Sequence, residues 1–96
     1  MQTTNQLHEF GKLQVLIVNS HAIILQELST TVIDFSTIDK ISNTRASDIV
    51  DVFYKSSNAF DGLELKPGSI AQSRRLYGFL SAAFIDYIVS KQPSLI

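Results

Sequence analysis

Apolar residues recur every three or four positions over the first third of the chain. The stripe consists of Phe10, Leu13, Ile17, His21, Ile24, Leu28, Val32 and Phe35, and seven of these eight are apolar. Polar residues such as Lys12, Asn19 and Gln26 fall on the opposite side of a helical projection. A repeat of this length is typical of an amphipathic helix. The pattern therefore predicts that residues 13–28 are helical.

The same segment, LQVLIVNSHAIILQEL, also allows a different interpretation. It resembles the first strand and first helix of response-regulator receiver domains, and residues 60–65 resemble the stretch after their phosphoacceptor aspartate. That resemblance implies a parallel sheet and a magnesium site. However, Asn19 and Ser20 replace the acidic pair, although magnesium prefers carboxylate oxygens. Tyr54 falls near the phosphoacceptor position, so the resemblance implies a truncated, phosphorylation-dead signalling domain.

The middle of the chain is predicted to form two more helical pieces. The β-branched cluster at residues 29–33 weakens a continuous helix, so we expect a break there and then a short helix over residues 35–41. A third helix is predicted from about residue 44 to residue 63. Its apolar stripe comprises Ile49, Val52, Phe53, Phe60 and Leu63.

The final helix has recognisable signals at both ends. Lys66-Pro67-Gly68 reads as a loop, and Ser69 with Gln72 three positions later forms a capping box. Pro93 would stop the helix after about residue 91. The sequence therefore predicts a helix from Ser69 to about Lys91.

Short connections between these segments predict an all-α fold, a small bundle of three to four helices with short loops. Four Gly and two Pro are few for an all-β chain, which needs many tight turns. Ninety-six residues suffice for one core. We expect one helical domain over residues 1–96, with residues 1–5 and 93–96 frayed.

Composition and charge exclude several classes of function. The formal net charge of −1 argues against a nucleic-acid-binding protein, because phosphate contacts need a basic excess. The absence of Cys excludes disulfides, thiolate metal sites and thiol catalysis. The N-terminal residues do not resemble a signal peptide, and no segment supplies the ~20 apolar residues of a membrane span. We expect a cytoplasmic protein without a membrane partner.

No constellation in the sequence points to catalysis. His8 and His21 are thirteen positions apart, which is not a metal-ligand spacing on one helix. His21 lies within the first apolar stripe, so we expect a buried, hydrogen-bonded ring. Phosphate-binding glycine loops, zinc-protease motifs and nucleophile elbows are absent. The sequence therefore predicts a protein that is not an enzyme and holds no metal or cofactor.

The last predicted helix carries apolar residues nearly all round, and such a helix must be central in its domain or covered by another chain. The predicted partner-binding residues are Arg75, Leu76, Phe79, Ala82, Ala83 and Asp86. We expect Phe79 at the centre of the contact, with Arg75 and Asp86 at its edge. Arg74 and Arg75 near the helix start form a weak candidate anion site.

These observations favour a small helical protein–protein interaction module that acts as a regulator, inhibitor or adaptor. A symmetric homodimer is the expected assembly, because two-fold pairing is the commonest way for a chain to cover such a helix. Two alternatives remain open. One is a helical DNA-binding transcriptional regulator that uses Arg74 and Arg75, and the other is the truncated receiver-like domain.

Overall fold

The computed structural model describes residues 6–44, 46–56 and 59–91 of the chain. Seven β-strands and one long α-helix make up this part of the protein. They are β1 (Leu7–Phe10), β2 (Leu13–Val18), β3 (His21–Gln26), β4 (Ser29–Asp34), β5 (Ile38–Ser42), β6 (Val50–Ser56), β7 (Ala59–Leu65) and α1 (Ile70–Lys91). A single 3-10 turn, Phe35–Thr37, joins β4 to β5.

The first four strands form one antiparallel sheet in the order β1-β2-β3-β4. Each pair is joined by a two-residue turn, which fixes the register of the strands. The three turns contain Gly11, Asn19 and Glu27 at positive φ, namely 63°, 57° and 53°. Gly and Asn adopt this conformation readily, whereas Glu at such a position is uncommon. The meander is thus built from very short local connections.

The second sheet has three antiparallel strands in the order β5-β6-β7. Strand β6 is central, and its register against β5 shifts between Ile38 and Lys40. Val50 and Val52 of β6 and Leu65 of β7 are buried, so this sheet also turns one face inward. The alternation of buried and half-buried residues over the first four positions of β6 matches the period of two expected for a strand.

Helix α1 starts where the sequence predicts. The hydroxyl of Ser69 accepts a hydrogen bond from the Gln72 backbone N–H at 3.1 Å, which satisfies one free donor of the first turn. Before it, the Pro67 carbonyl accepts a hydrogen bond from the Lys12 backbone N–H at 2.7 Å. This bond ties the start of the helix to the β1–β2 turn. In the described part of the chain, no helix is both long and apolar enough to cross a membrane.

One hydrophobic core is shared by both sheets and the helix. The four-stranded sheet contributes Phe10, Leu13, Val15, Ala22, Ile24, Ile33 and the adjoining Phe35; the three-stranded sheet contributes Val50, Val52 and Leu65; the helix contributes Leu76 and Leu80. Helix α1 packs against β1, β5 and β6, so it lies across strands of both sheets. Either sheet alone would leave its inward face in water.

The predicted all-α bundle is wrong. Residues 13–28 form β2, β3 and the turn that follows each of them, with Val15 paired to Ile24. The apolar stripe at three- and four-residue spacing is present in the sequence, but Leu13, Val15 and Ile17 also alternate with period two. This second period is the one the fold uses, because neighbouring strands on both sides satisfy the backbone of an extended chain.

Of the other predicted helices, the two in the middle of the chain are wrong and the last one is confirmed. Residues 44–63 contain strands β6 and β7 instead of a helix, and only Phe35–Thr37 of the short predicted helix is helical. The predicted Lys66-Pro67-Gly68 loop and the last helix are confirmed, because α1 runs over Ile70–Lys91.

The parallel sheet implied by the receiver resemblance is also wrong, since every described strand pair is antiparallel. The frayed ends predicted at residues 1–5 and 93–96, and the stop at Pro93, lie outside the described residues.

Candidate interaction surface

The inner face of α1 is packed into the core. Ser73, Leu76 and Leu80 are buried, at three- and four-residue spacing. The Ser73 hydroxyl donates to the Ser47 carbonyl at 2.8 Å and accepts from the Asn43 amide at 3.4 Å. This face therefore holds the helix on the sheets through both apolar contact and a buried hydrogen-bond network.

The outer face of α1, defined here by Gly78, Ala82, Ile85 and Val89, is turned away from the core. Its residues are spaced four, three and four positions apart and so share one side of the helix. Ile85 is 56% exposed and Val89 is 62% exposed. A Cβ added at Gly78 would meet no described atom within 4 Å. The apolar side chains here have open space in front of them.

Further apolar residues flank this face on one side. Ile70, Tyr77 and Ile88 are exposed, and they lie about a quarter turn or more from the centre of the outer face. Of the nine large hydrophobic residues that are exposed in the described chain, five belong to α1. Large apolar patches of this kind mark interaction sites more often than scattered exposed residues do.

The predicted partner-binding residues divide between the two faces. Arg75, Ala82 and Asp86 are exposed, and Ala83 is half-buried against the core. Leu76 is fully buried, so its side chain cannot reach a partner in this fold.

Phe79 also points largely inward. Its ring centroid lies 4.4 Å from that of His8 and 5.3 Å from that of Phe10. The sequence predicted that α1 packs against other helices. Strand β1, which carries His8 and Phe10, covers this side of α1 instead. The centre of any surface on α1 moves from Phe79 to the outer face.

The two adjacent arginines do not converge. Successive residues of a helix point about 100° apart, so the guanidinium groups of Arg74 and Arg75 leave α1 in different directions. The Arg75 guanidinium lies 5.1 Å from the Phe10 ring centroid and donates a hydrogen bond to the Gln72 side-chain oxygen. Arg75 is thereby oriented along one edge of the outer face, while Arg74 lies toward the opposite edge.

The C-terminal half of α1 borders an open groove of about 520 Å³. It is lined by Ile17, Asn19, Ser20, Phe35, Ala83, Asp86, Tyr87, Ser90 and Lys91. Aromatic contacts form its floor, with ring centroids of Phe35 and Tyr87 5.9 Å apart. The groove lies between the β2–β3 turn and the end of α1. The sequence pattern did not predict it, because the residues of this turn were expected in the middle of a helix.

His21 is not buried, so that prediction is wrong. Its side chain is 43% exposed at the end of the β2–β3 turn, with Nε2 3.6 Å from a carboxylate oxygen of Asp34. The backbone N–H of Ser36 donates to Asp34 at 2.9 Å, and this bond is the main cause of the lowered pKa of Asp34. The Ser36 side chain lowers the pKa of Asp34 further, burial opposes the shift, and electrostatic interaction with His21 and Lys91 adds to the lowering.

A second apolar feature crosses the outward face of the four-stranded sheet. Directly paired positions place Leu7 beside Leu16, Leu16 beside Ile23 and Ile23 beside Val32. We call this set of four residues the outer row. Leu7 and Val32 are exposed, whereas Leu16 and Ile23 are half-buried. An antiparallel sheet usually presents polar residues on its solvent face, so this row is unusual.

No family model matches the chain, and no curated protein matches it. Among the described residues there is also no group of three or more His, Asp or Glu side chains arranged to hold a metal ion. The physical features of the surface therefore provide the basis for a functional proposal.

Proposed function

We propose that this protein is a non-enzymatic interaction module, acting as a regulator, inhibitor or adaptor, that pairs with a second copy of itself through the outer face of α1. The observation that supports the proposal is the exposure of Ile85 and Val89 on a helix whose opposite face already fills the core. A cytoplasmic location is part of this proposal.

Two charged residues on one edge of the outer face favour an antiparallel pair of helices. Asp86 lies eleven positions after Arg75, about three turns, so both side chains leave the same side of α1 about 16 Å apart. In an antiparallel two-fold pair centred midway between them, each Arg75 lies opposite the Asp86 of the other copy. A parallel pair would place like charges together. The ion pairs contribute little affinity but select the register.

The same register brings small residues to the centre of the contact. Gly78 of one copy lies next to Ala82 of the other, about two residues along the helix from the two-fold axis. Helices approach most closely, at about 8 Å between axes, where the side chains between them are small. Ile85 and Val89 then pack on either side of this close approach. The outer face is thus complementary to itself, as a two-fold interface requires.

The size of the surface sets the expected strength. A 22-residue helix is about 33 Å long and its contact strip is about 10 Å wide. The area of this strip is smaller than the area that each partner buries in a standard stable complex. We therefore expect a dissociation constant on the order of tens of micromolar.

Sedimentation velocity across a concentration series tests the proposal. The parent should show a monomer–dimer equilibrium, and Ile85→Asp should be monomeric, because it would place an uncompensated charge in the contact. Phe60→Asp provides the matched control, since Phe60 is equally apolar and exposed but lies on β7. A parent that stays monomeric at several hundred micromolar, or equal dimerisation by Ile85→Asp, would refute the proposal.

A charge exchange tests the antiparallel register separately. Arg75→Asp and Asp86→Arg should each weaken dimerisation a few-fold, and the double variant should recover the parent's affinity. Additive losses in the double variant would contradict the proposed register. Circular dichroism of each variant checks that its fold is retained.

A further inference from the structure

The two sheets have four edge strands, namely β1, β4, β5 and β7. Helix α1 packs against β1 and β5, the first strands of the two sheets. At the end of β7, the Gln26 side chain donates to the Glu64 carbonyl at 3.4 Å and accepts from the Lys66 N–H at 2.7 Å. Strand β4 pairs with β3 and with no other described strand. Its outer edge has no hydrogen-bonded strand beside it among the described residues.

The register of the β3–β4 hairpin identifies which backbone groups face that edge. Gln26 and Ser29 flank a two-residue turn, so their backbone groups hydrogen-bond to each other. Along the hairpin, pairs that are hydrogen-bonded in this way alternate with pairs that are not. Ser29, Thr31 and Ile33 therefore bond to β3. The Phe35 N–H continues this phase by donating to the Ser20 carbonyl at 2.8 Å.

The intervening residues, Thr30, Val32 and Asp34, direct their N–H and C=O groups outward. The Asp34 carbonyl accepts the Thr37 hydroxyl at 2.7 Å. Thr30 and Val32 thus offer two donors and two acceptors in line along the edge. The segment also lacks the Lys, Pro or bulge that usually protects an edge strand.

A groove of about 240 Å³ lies beside this edge and separates it from the end of β6. It is lined by Thr31, Val32, Ile33, Asp34, Thr37, Tyr54, Lys55 and Ser56. No residue of α1 contributes to it. The groove is smaller than a typical small-molecule pocket of about 300–1,000 Å³. Its dimensions and its hydroxyl-rich wall suit short side chains of an extended polypeptide.

We propose that the outer edge of β4 binds an extended segment of a partner protein as a fifth strand of the first sheet. Backbone groups of Thr30 and Val32 supply the pairing, as in other cases of strand addition. A partner residue beside Val32 extends the outer row and is therefore apolar and β-branched. The residues before and after it point into the groove and are therefore small or hydroxyl-bearing.

The choice of a different protein over a second copy rests on the proposed α1 dimer. A chain with two separate self-complementary contacts would join copies without limit into an open polymer. A strand from another protein ends the sheet after one addition. The β4 edge itself is independent of α1, so the two proposals can fail separately.

Nuclear magnetic resonance titration of the 15N-labelled full chain tests the edge. The probe is the capped peptide Ser-Thr-Thr-Val-Thr-Asp-Phe, in which Thr flanks Val on both sides and whose antiparallel alignment brings its Val beside Val32 and its Asp beside Thr30. The amide protons of Thr30 and Val32 should shift downfield and exchange more slowly with solvent. Those of Thr31 and Ile33 already bond to β3 and should change much less.

Two controls separate backbone pairing from side-chain contact. A peptide methylated on the backbone nitrogens of its Val and its Asp, which face the β4 edge in this alignment, should bind at least about tenfold more weakly, because it loses its donors. Val32→Pro, which removes one edge donor at a position where edge strands tolerate proline, should do the same. Val32→Thr keeps both backbone groups and should bind within a few-fold of the parent. If Val32→Pro does not fold, the methylated peptide decides.

Three outcomes would overturn the proposal. One is the absence of any change at Thr30 and Val32 at about 1 mM peptide. Another is equal binding of the methylated peptide. The third is a set of three results. The Val32 amide of the parent is already protected from exchange without peptide, Val32→Pro is monomeric, and Ile85→Asp remains dimeric. The strand bound at the β4 edge would then belong to a second copy of this chain.

Discussion

The two faces of α1 contain similar residues in opposite environments. Leu76 on the inner face is 0% exposed, and Ile85, only nine positions later, is more than half exposed. The inner face even contains a buried hydroxyl, that of Ser73, whereas Val89 on the outer face is apolar and solvent-accessible. Hydrophobicity along this helix therefore does not reveal which side faces the core. The sheets opposite the helix decide it.

This difference indicates that the outer face is not needed for folding. Leu76 and Leu80 are the buried apolar residues that α1 contributes to the core. The Ser73 hydroxyl, near the start of the helix, donates a hydrogen bond to the Ser47 carbonyl. Apolar residues that the fold leaves in water are open to another use, which is the basis of the proposed dimer. Changes on the two faces should accordingly affect different measurements, namely stability on the inner face and association on the outer one.

Leu76→Ala should give the largest effect. Removing this fully buried side chain leaves a cavity between the helix and both sheets, at a cost of about 2–5 kcal/mol in the free energy of unfolding. Ile85→Ala is its counterpart on the outer face and should cost less than about 0.5 kcal/mol. Urea unfolding at low protein concentration measures both. Equal losses would mean that the two faces do not differ in the way described.

Ser73→Ala should have an intermediate effect. It leaves the Ser47 carbonyl without the 2.8 Å hydrogen bond from Ser73, at a cost of about 1–2 kcal/mol. Ser90→Ala is the control, because the exposed Ser90 hydroxyl donates to the Tyr87 carbonyl one turn earlier, a bond within the helix itself. That change should be nearly neutral. A neutral Ser73→Ala would show that the buried network does not anchor α1.

Gly78→Ala should have the smallest effect and the opposite sign. The new methyl group meets open space, and Ala is favoured over Gly in a helix, so the monomer should gain about 0.5–1 kcal/mol. Gly11→Ala should instead destabilise the protein, since Gly11 has φ of 63° and its Cβ would overlap the Pro67 carbonyl oxygen. Thermal unfolding compares the two. A loss of stability at Gly78 would indicate that the outer face is covered within the monomer.

The last third of the fold follows from local signals in the sequence. Ser69 and Gln72 mark the start of α1 through a hydrogen bond between neighbours in the chain, and the Lys-Pro-Gly loop before it is equally local. The unusual apolar character of the helix was also visible in advance. Each of these features depends on residues a few positions apart, so local physics suffices to predict it.

Tertiary structure alone decided the remainder. Residues 13–28 carry helical and strand periods together, and the longer helical stripe favours the structure that the fold does not adopt. The choice depends on pairing with β1 and β4, the next strands along the chain on either side, and on burial against Val50, Val52 and the helix, which are distant in sequence. The same contacts turned Phe79 inward, left His21 exposed and aligned the outer row. Strand formation draws its stability from such neighbours, and a single sequence does not state which segments they will be.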